Sequence, residues 1–151
     1  MIRWSWYTFP ELRPHDLYAI MRLRQEVFVV EQQCAFLDAD GKDEASLHLM
    51  GRSGDGQLAA YLRLVPPGLS FSEPSIGRVI TSLAVRGSGT GKLLMAEGIR
   101  KALIVYPGQG NRISAQAHLE RFYNGFGYNR VRGPYDEDGI PHLEMLRSAG
   151  S

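Results

Sequence analysis

The sequence predicts an α/β fold: a mixed sheet of about six to seven strands with helices on both faces, in one domain spanning residues 1–151. Three observations predict it. Hydrophobic periodicity switches between about 2 and about 3.6 residues along the chain, in the order β-α-β-β-β-α-β-α-β-β. With 151 residues and 44% hydrophobic side chains the chain can bury one substantial core, and no repeat, low-complexity tract or long linker marks a second domain. The stretch "VRGSGTGKLLMAEG", Val85 to Gly98, sets a glycine-rich loop between a strand and a helix.

Taken in order, "IRWSWYTF" alternates aromatic and polar residues and opens the sheet as a strand. Pro14 and Asp16 suit the first turn of a helix. Leu17, Ile20, Met21, Val27 and Phe28 keep helical spacing, which predicts a helix through at least Phe28. "LDADGKDEA" is a turn-rich break. "SLHLMGRSGDGQLAAYLRLVP" reads as a hairpin around Ser-Gly-Asp-Gly, and "IGRVITSLAV" as a β-branched strand running into the glycine loop. From Lys92, the residues Met95, Ile99, Ala102, Leu103 and Tyr106 form one apolar helical face. "YPGQGN" stops that helix. "RISAQA" is then a short strand, "HLERFYNGF" a short helix, and "GYNRVRG" with "IPHLEML" a closing strand pair around "PYDEDG".

Charge excludes several partners. With 17 basic and 16 acidic residues and a formal net charge of +1, nothing favours nucleic acid or an anionic membrane. Cys34 is the single cysteine, which excludes an internal disulfide and a multi-cysteine zinc site and fits a reducing compartment. "MIRWSWYTFPELRP" lacks the apolar core of a signal peptide, and no run approaches the roughly 18 apolar residues of a membrane span. The expected location is the cytoplasm.

The glycine loop has three explanations. A Walker A loop requires glycine at position 86 and Ser or Thr at 93, where Arg86 and Leu93 stand. A dinucleotide loop requires a third glycine at position 92, which is Lys92. Arg86-Gly87-Ser88-Gly89-Thr90-Gly91 instead matches R/Q-x-x-G-x-G/A, and there the chain resembles the GNAT family of N-acetyltransferases. The physical basis is that a helix N-terminus leaves about four N–H groups without partners and carries roughly half a positive charge. It therefore binds an anion without a metal. "AQAHLERFYNGFGY" resembles the family's later helix, with Phe122-Tyr123 and Gly127-Tyr128. "RQEVFVVEQQC", "LDADGKD" and "GIPHLEM" are similar to its ElaA-like branch. Leu83 stands where many members carry Pro, and Gln116 where many carry Asn.

The resemblance implies a sheet splayed between the strand before the glycine loop and the next one. It implies acetyl-CoA as co-substrate and a primary amine, on a small molecule or peptide, as acceptor. Val79, Ile80 and Thr81 are the implied backbone contacts of the pantetheine arm. Arg86, Gly87, Ser88, Gly89, Thr90, Gly91 and Lys92 are implied around the pyrophosphate, with Gln116 and Phe122 as further cofactor contacts. Tyr123 is the implied proton donor to the departing thiolate, a role suited to a phenol that is protonated at neutral pH.

The base is left open among Glu26 and Glu31 on the first helix and His48, His118 and His142, each of which has an ordinary structural reading. No two histidines have a short metal-ligand spacing, so no metal is expected. "DADGKD" fails as an EF-hand, because Gly41 comes too early and position 12 is Leu49. Its carboxylates read as a polar turn, or more sharply as a contact for a cationic acceptor. Cys34 reads as a buried or inert thiol. The alternative to an enzyme is a catalytically silent module that binds CoA or acetyl-CoA. The acceptor's identity is not legible, and a homodimer stays open.

Overall fold

In the computed structural model, which describes residues 1–150, the aromatic alternation forms β1, Arg3–Thr8. Its pleat sends Trp4 and Trp6 to one face of the sheet and Tyr7 to the other. β1 pairs with β2, Leu47–Arg52, which pairs with β3, Leu58–Val65, and that with β4, Ser75–Thr81, all antiparallel. A second antiparallel sheet joins β5, Asn111–Gln116, β6, Tyr128–Glu137, and β7, Ile140–Arg147, in the order β5-β7-β6.

The first helix, α1, spans Pro14–Arg24 and continues as a π-helical segment over Gln25–Glu31. Gln32 N–H donates to Val27 C=O at 3.2 Å and Cys34 N–H to Val29 C=O at 3.0 Å, five residues back in each case. α1 packs Ile20 and Leu23 on Met50, Tyr61 and Ile80. α2, Thr90–Val105, covers the opposite face, where Leu94, Met95 and Ala102 meet Leu49, Ala60, Leu62 and Leu64. Trp6 Nε1 donates to Glu97 at 2.8 Å and ties β1 to α2. Helices on both faces therefore follow from the two-residue alternation within β2 and β3.

Several boundaries differ from the sequence reading. β4 ends at Thr81, and Leu83–Val85 is a single tight turn, so "SLAV" is not strand. The buried face of α2 runs through Leu94, Met95, Gly98 and Ala102, while Leu103 is exposed. Gly98 lies on that face because a Cβ there would sit 2.8 Å from Leu62 Cδ2. "PYDEDG" is mostly strand, and the turn shrinks to Asp138-Gly139 because β6 continues to Glu137. α3, Glu120–Asn124, is only five residues long.

The two sheets meet at β4 and β5, but only at their first residues. Arg112 N–H donates to Pro74 C=O at 3.1 Å, and Ile76 N–H to Asn111 Oδ1 at 3.3 Å. Beyond that point no ladder joins the strands, and they diverge. This divergence positions the site.

Candidate active site

A cleft of about 440 Å3 opens between the diverging strands. β4 contributes Arg78, Val79, Ile80 and Thr81, and β5 contributes Ser114 and Gln116. Phe28 and Glu31 come from the π-helical segment, Tyr123 from α3, and Glu137 and His142 from the β6–β7 pair. Pairing between β3 and β4 passes from Tyr61↔Ile80 to Arg63↔Gly77, which places Arg78 and Val79 in a bulge opposite Leu62. Arg78 there has φ +52°. A bulge bends and re-aims its strand, which suits the point where β4 leaves its neighbour.

The cleft shares Thr81 and Arg86 with a groove of about 580 Å3 lined by Gly87, Ser88, Gly89, Gly91, Lys92 and Phe122. Among the described residues, the N–H groups of Gly87, Gly89, Thr90 and Gly91 have no hydrogen-bond acceptor. Ser88 and Lys92 spend theirs on the carbonyls of Val85 and Gly89, so the loop offers four free backbone donors rather than six. Thr90 is buried, and its hydroxyl pairs with that of Ser88 at 2.8 Å. Its side chain therefore braces the loop, and only its N–H is available to a ligand.

Gly89 caps α2 at φ +86°, a left-handed conformation that β-branched residues avoid. Gly89→Val is expected to weaken CoA binding at least tenfold while the empty protein's melting temperature changes by only a few degrees. Calorimetric titration beside a thermal melt checks this. Unchanged affinity in a folded variant would move the anion away from this loop.

Tyr123 is buried against Phe122 and Tyr128, with ring centroids at 5.2 and 6.0 Å. No side-chain or backbone group among the described residues hydrogen-bonds its hydroxyl, and the residue lines the cleft. Burial pushes its pKa up to about 12.

Residues 26–148 match the model of the acetyltransferase (GNAT) domain. The chain belongs to the GNAT acetyltransferase family. It is 50% identical over 145 residues to a UPF0039 protein of Synechocystis, covering 96% of this chain and 94% of that one. It is 40% identical over 149 residues to the protein ElaA of Escherichia coli, with 97% of each chain covered. The crystal structure of an acyl-CoA N-acyltransferase from Pseudomonas aeruginosa superposes with a TM-score of 0.93 at 41% identity, over 98% of this chain and all of that one. The crystal structure of Escherichia coli ElaA gives 0.92 at 39%, with the same coverage. Seven strands, the divergence after β4 and the two-faced helix packing are the GNAT acyltransferase fold, and the ElaA-like branch follows from these relatives.

In this GNAT chain the other candidates separate by position. His48 lies in the sheet interior, its ring nitrogens 2.7 Å from the Tyr61 hydroxyl and 2.8 Å from the Asp43 carbonyl. Burial lowers its pKa, and it does not line the cleft. Glu26 is exposed and pairs with Arg22 at 3.0 Å, away from the cleft. Glu31 does line the cleft but is held by Arg86 through a bidentate pair at 2.9 and 3.0 Å. Arg86 Nε also donates to the Thr81 carbonyl at 3.2 Å, so one of the three backbone positions assigned to pantetheine is already engaged. His118 and His142 both line the cleft.

The "DADGKD" carboxylates are not free for an acceptor. Asp38 accepts from Arg24 at 2.7 Å and Arg78 at 2.8 Å, Asp40 from Arg63 at 2.5 Å and Arg78 at 3.3 Å, and Asp43 from Arg24 at 2.6 Å and Arg63 at 3.1 Å. Three arginines cancel three aspartates, and the sharper reading of this turn is replaced by an internal ion network. Burial raises the Asp43 pKa, yet hydrogen bonding and charge from Arg24, with the charge of Arg63, outweigh it and hold the carboxyl low. Asp40 behaves likewise, with Arg63 outweighing burial. Cys34 is buried, its thiol 3.0 Å from the Asp138 carbonyl. Among the described residues no group of His, Cys, Asp and Glu could hold a metal, and no helix is long and apolar enough to cross a membrane.

Sequence reasoning missed Arg78, Ser114 and Glu137 as cleft residues. Alternation along "RISAQA" would have turned Ser114 away from the core face held by Ile113 and Ala115. Nothing local marks Arg78 or Glu137.

Proposed function

We propose that the protein transfers the acetyl group of acetyl-CoA to a primary amine of a small molecule or peptide. The observation that carries this reading is one continuous depression, from the open edge of β4 to the free N–H groups of the glycine loop, with Tyr123 in its wall. An extended thioester arm fits beside β4 as an added strand would, since that strand pairs with β3 on one side only. The pyrophosphate fits the start of α2, where glycines present backbone rather than side chains. Lys92 stands beside that groove to add positive charge, whereas the charge of Arg86 is already matched by Glu31. The neutral amine attacks the thioester carbon, the C–S bond breaks, Tyr123 gives its proton to the sulfur, and the acylated nitrogen loses a proton to solvent. A reducing cytoplasm suits the buried free thiol of Cys34.

Two measurements test this. Acetyl-CoA at 100 times its dissociation constant is expected to stabilise the fold by about 2.7 kcal/mol, read as a raised melting temperature. Thiol release from acetyl-CoA, followed over polyamines, amino acids, aminoglycosides and peptides, is expected to appear with at least one acceptor. Binding without release for any acceptor would replace the enzyme by a CoA-binding regulatory module. No thermal shift at millimolar acetyl-CoA would remove both.

A further inference from the structure

Alternate residues of β5, β6 and β7 give the second sheet a polar face. At one end of it every charge is matched: Arg112 pairs with Glu73 and Glu144 at 2.8 Å each, and Arg132 reaches Glu144 at 3.5 Å. The other end lines the cleft and holds Ser114, Glu137 and His142. Glu31 at the opposite wall is held by Arg86, and Asp38 and Asp40, which do not line the cleft, are held by Arg24, Arg63 and Arg78. Among the described residues no guanidinium pairs with Glu137. Its Oε2 lies 3.2 Å from His142 Nε2, and its Oε1 accepts from Ser114 Oγ at 3.2 Å, which in turn meets the Tyr135 hydroxyl at 2.6 Å.

The tautomer of His142 follows from its other nitrogen. Nδ1 is 2.8 Å from the Ile140 carbonyl, which can only accept, so Nδ1 carries a proton. Nε2 therefore turns either a lone pair or a second N–H toward the Glu137 carboxylate. A lone pair facing a carboxylate is repulsive unless a cation or a proton lies between them. The side chain of His142 is 10% exposed and that of Glu137 48%, so the imidazole is fixed while the carboxylate meets the open cleft.

We propose that Glu137 and His142 together receive the acceptor's ammonium group and remove its proton; this rests on the acetyl-transfer reading. Glu137 binds the cationic amine. His142 Nε2 takes one N–H proton and becomes an imidazolium paired with Glu137. The freed nitrogen lone pair attacks the thioester carbon, and the electrons of the C–S bond leave on sulfur, which takes the Tyr123 proton. Solvent then removes the proton from His142 and the second proton from the acylated nitrogen and returns one to Tyr123, so one proton is released per acetyl group transferred. The groups around the imidazole are Glu137 and Tyr135 of β6 and, on β5, its register partner Gln116 with Ser114 nearby. Across the cleft Arg86 is ion-paired with Glu31 and Arg78 with Asp38, and His118 and Tyr123 complete its titratable lining.

The test uses the full chain with acetyl-CoA and butylamine, spermidine and lysine amide as acceptors. With the best of these, the parent's kcat/KM is expected to reach a plateau well below the amine's own pKa of about 10, because bound ammonium loses its proton to the enzyme. In His142→Gln that plateau is expected to vanish, leaving a rise of about tenfold per pH unit, since only amine already neutral in solution reacts. Glu137→Gln is expected to raise KM about 10–100-fold, the usual scale for a lost charge-assisted contact. Its acetyl-CoA dissociation constant should stay within about twofold. Glu137 is half exposed, so this variant stays informative even where His142→Gln does not fold. A Glu137→Gln enzyme within threefold of the parent in KM, or a plateau retained in His142→Gln, overturns the assignment alone. Acetyl-CoA binding without thiol release from the parent on these three amines and on the wider acceptor panel overturns it together with the transfer reading.

Discussion

Tyr123→Phe is expected to lower kcat by about 10²–10⁴-fold, the usual contribution of one positioned acid, with little change in acetyl-CoA affinity. The ring supplies most of the packing, against Phe122 and Tyr128, and phenylalanine keeps it. The hydroxyl has no hydrogen-bond partner among the described residues, so its removal orphans no buried group and the fold should melt within a few degrees of the parent. Burial holds the phenol near pKa 12, so it stays protonated across the working range. Against an ordinary thiol of pKa about 8.5, transfer of that proton is uphill by about 3.5 units, or about 5 kcal/mol. The same desolvation acts on a thiolate leaving inside the cleft and raises its basicity too, which narrows the gap. Single-turnover kinetics on an accepted amine, with calorimetric binding beside them, measure the effect. Turnover within threefold of the parent, with chemistry limiting, would remove Tyr123 as the acid. Joint loss of turnover and affinity would make it a packing residue.

The second large effect is on stability. Arg24→Leu is expected to cost about 3–5 kcal/mol, because it breaks a buried ionic network by removing one partner. Arg24 is fully buried, and its three guanidinium nitrogens reach Asp38 at 2.7 Å, Asp43 at 2.6 Å and the Asp38 carbonyl at 3.0 Å. Leucine leaves three aspartates facing two arginines, with Arg63 Nε already buried without a partner. Damage should spread to the cleft, because Asp38 also positions Arg78, whose guanidinium lies 5.9 Å from the Phe28 ring centre. Denaturant unfolding of parent and variant gives the number. A loss under about 1 kcal/mol would mean that water relaxes into the gap.

The same network sets an acid limit. Asp40 and Asp43 have folded pKa values below their unfolded ones. Their contribution is therefore complete above the ordinary carboxylate range near pH 4 and is lost as pH falls through the depressed values. Arg24→Leu should flatten that acid dependence, since it removes the hydrogen bond and charge that hold Asp43 low.

What the sequence determined was local. The strand, loop and helix around Gly87, Gly89 and Gly91 are consecutive, and positive φ at Gly87 and Gly89 is a property that glycine supplies by itself. Helices on both faces follow from two-residue alternation in "LHLM" and "LAAYLRL", which sends Leu49 and Met50 to opposite cores. Tyr123 was found only through the resemblance of the surrounding "RFYNGFGY", since a tyrosine on a short helix is ordinarily just packing.

Tertiary structure decided the rest. The three arginines and three aspartates pair across separations of 14 to 40 residues, and no periodicity links them. "DADGKD" alone is a run of exposed carboxylates; only the packing of α1, the placement of Arg63 on β3 and the bulge at Arg78 bring guanidinium groups to it and cancel its charge. Glu137 and His142 belong to a strand pair whose turn was read too long, and the register Tyr135↔His142 sets their meeting. The physical reason is common to both cases. A glycine's dihedral freedom is fixed by its own covalent structure, whereas a charge's role depends on which counter-charge the folded backbone places within about 3 Å of it.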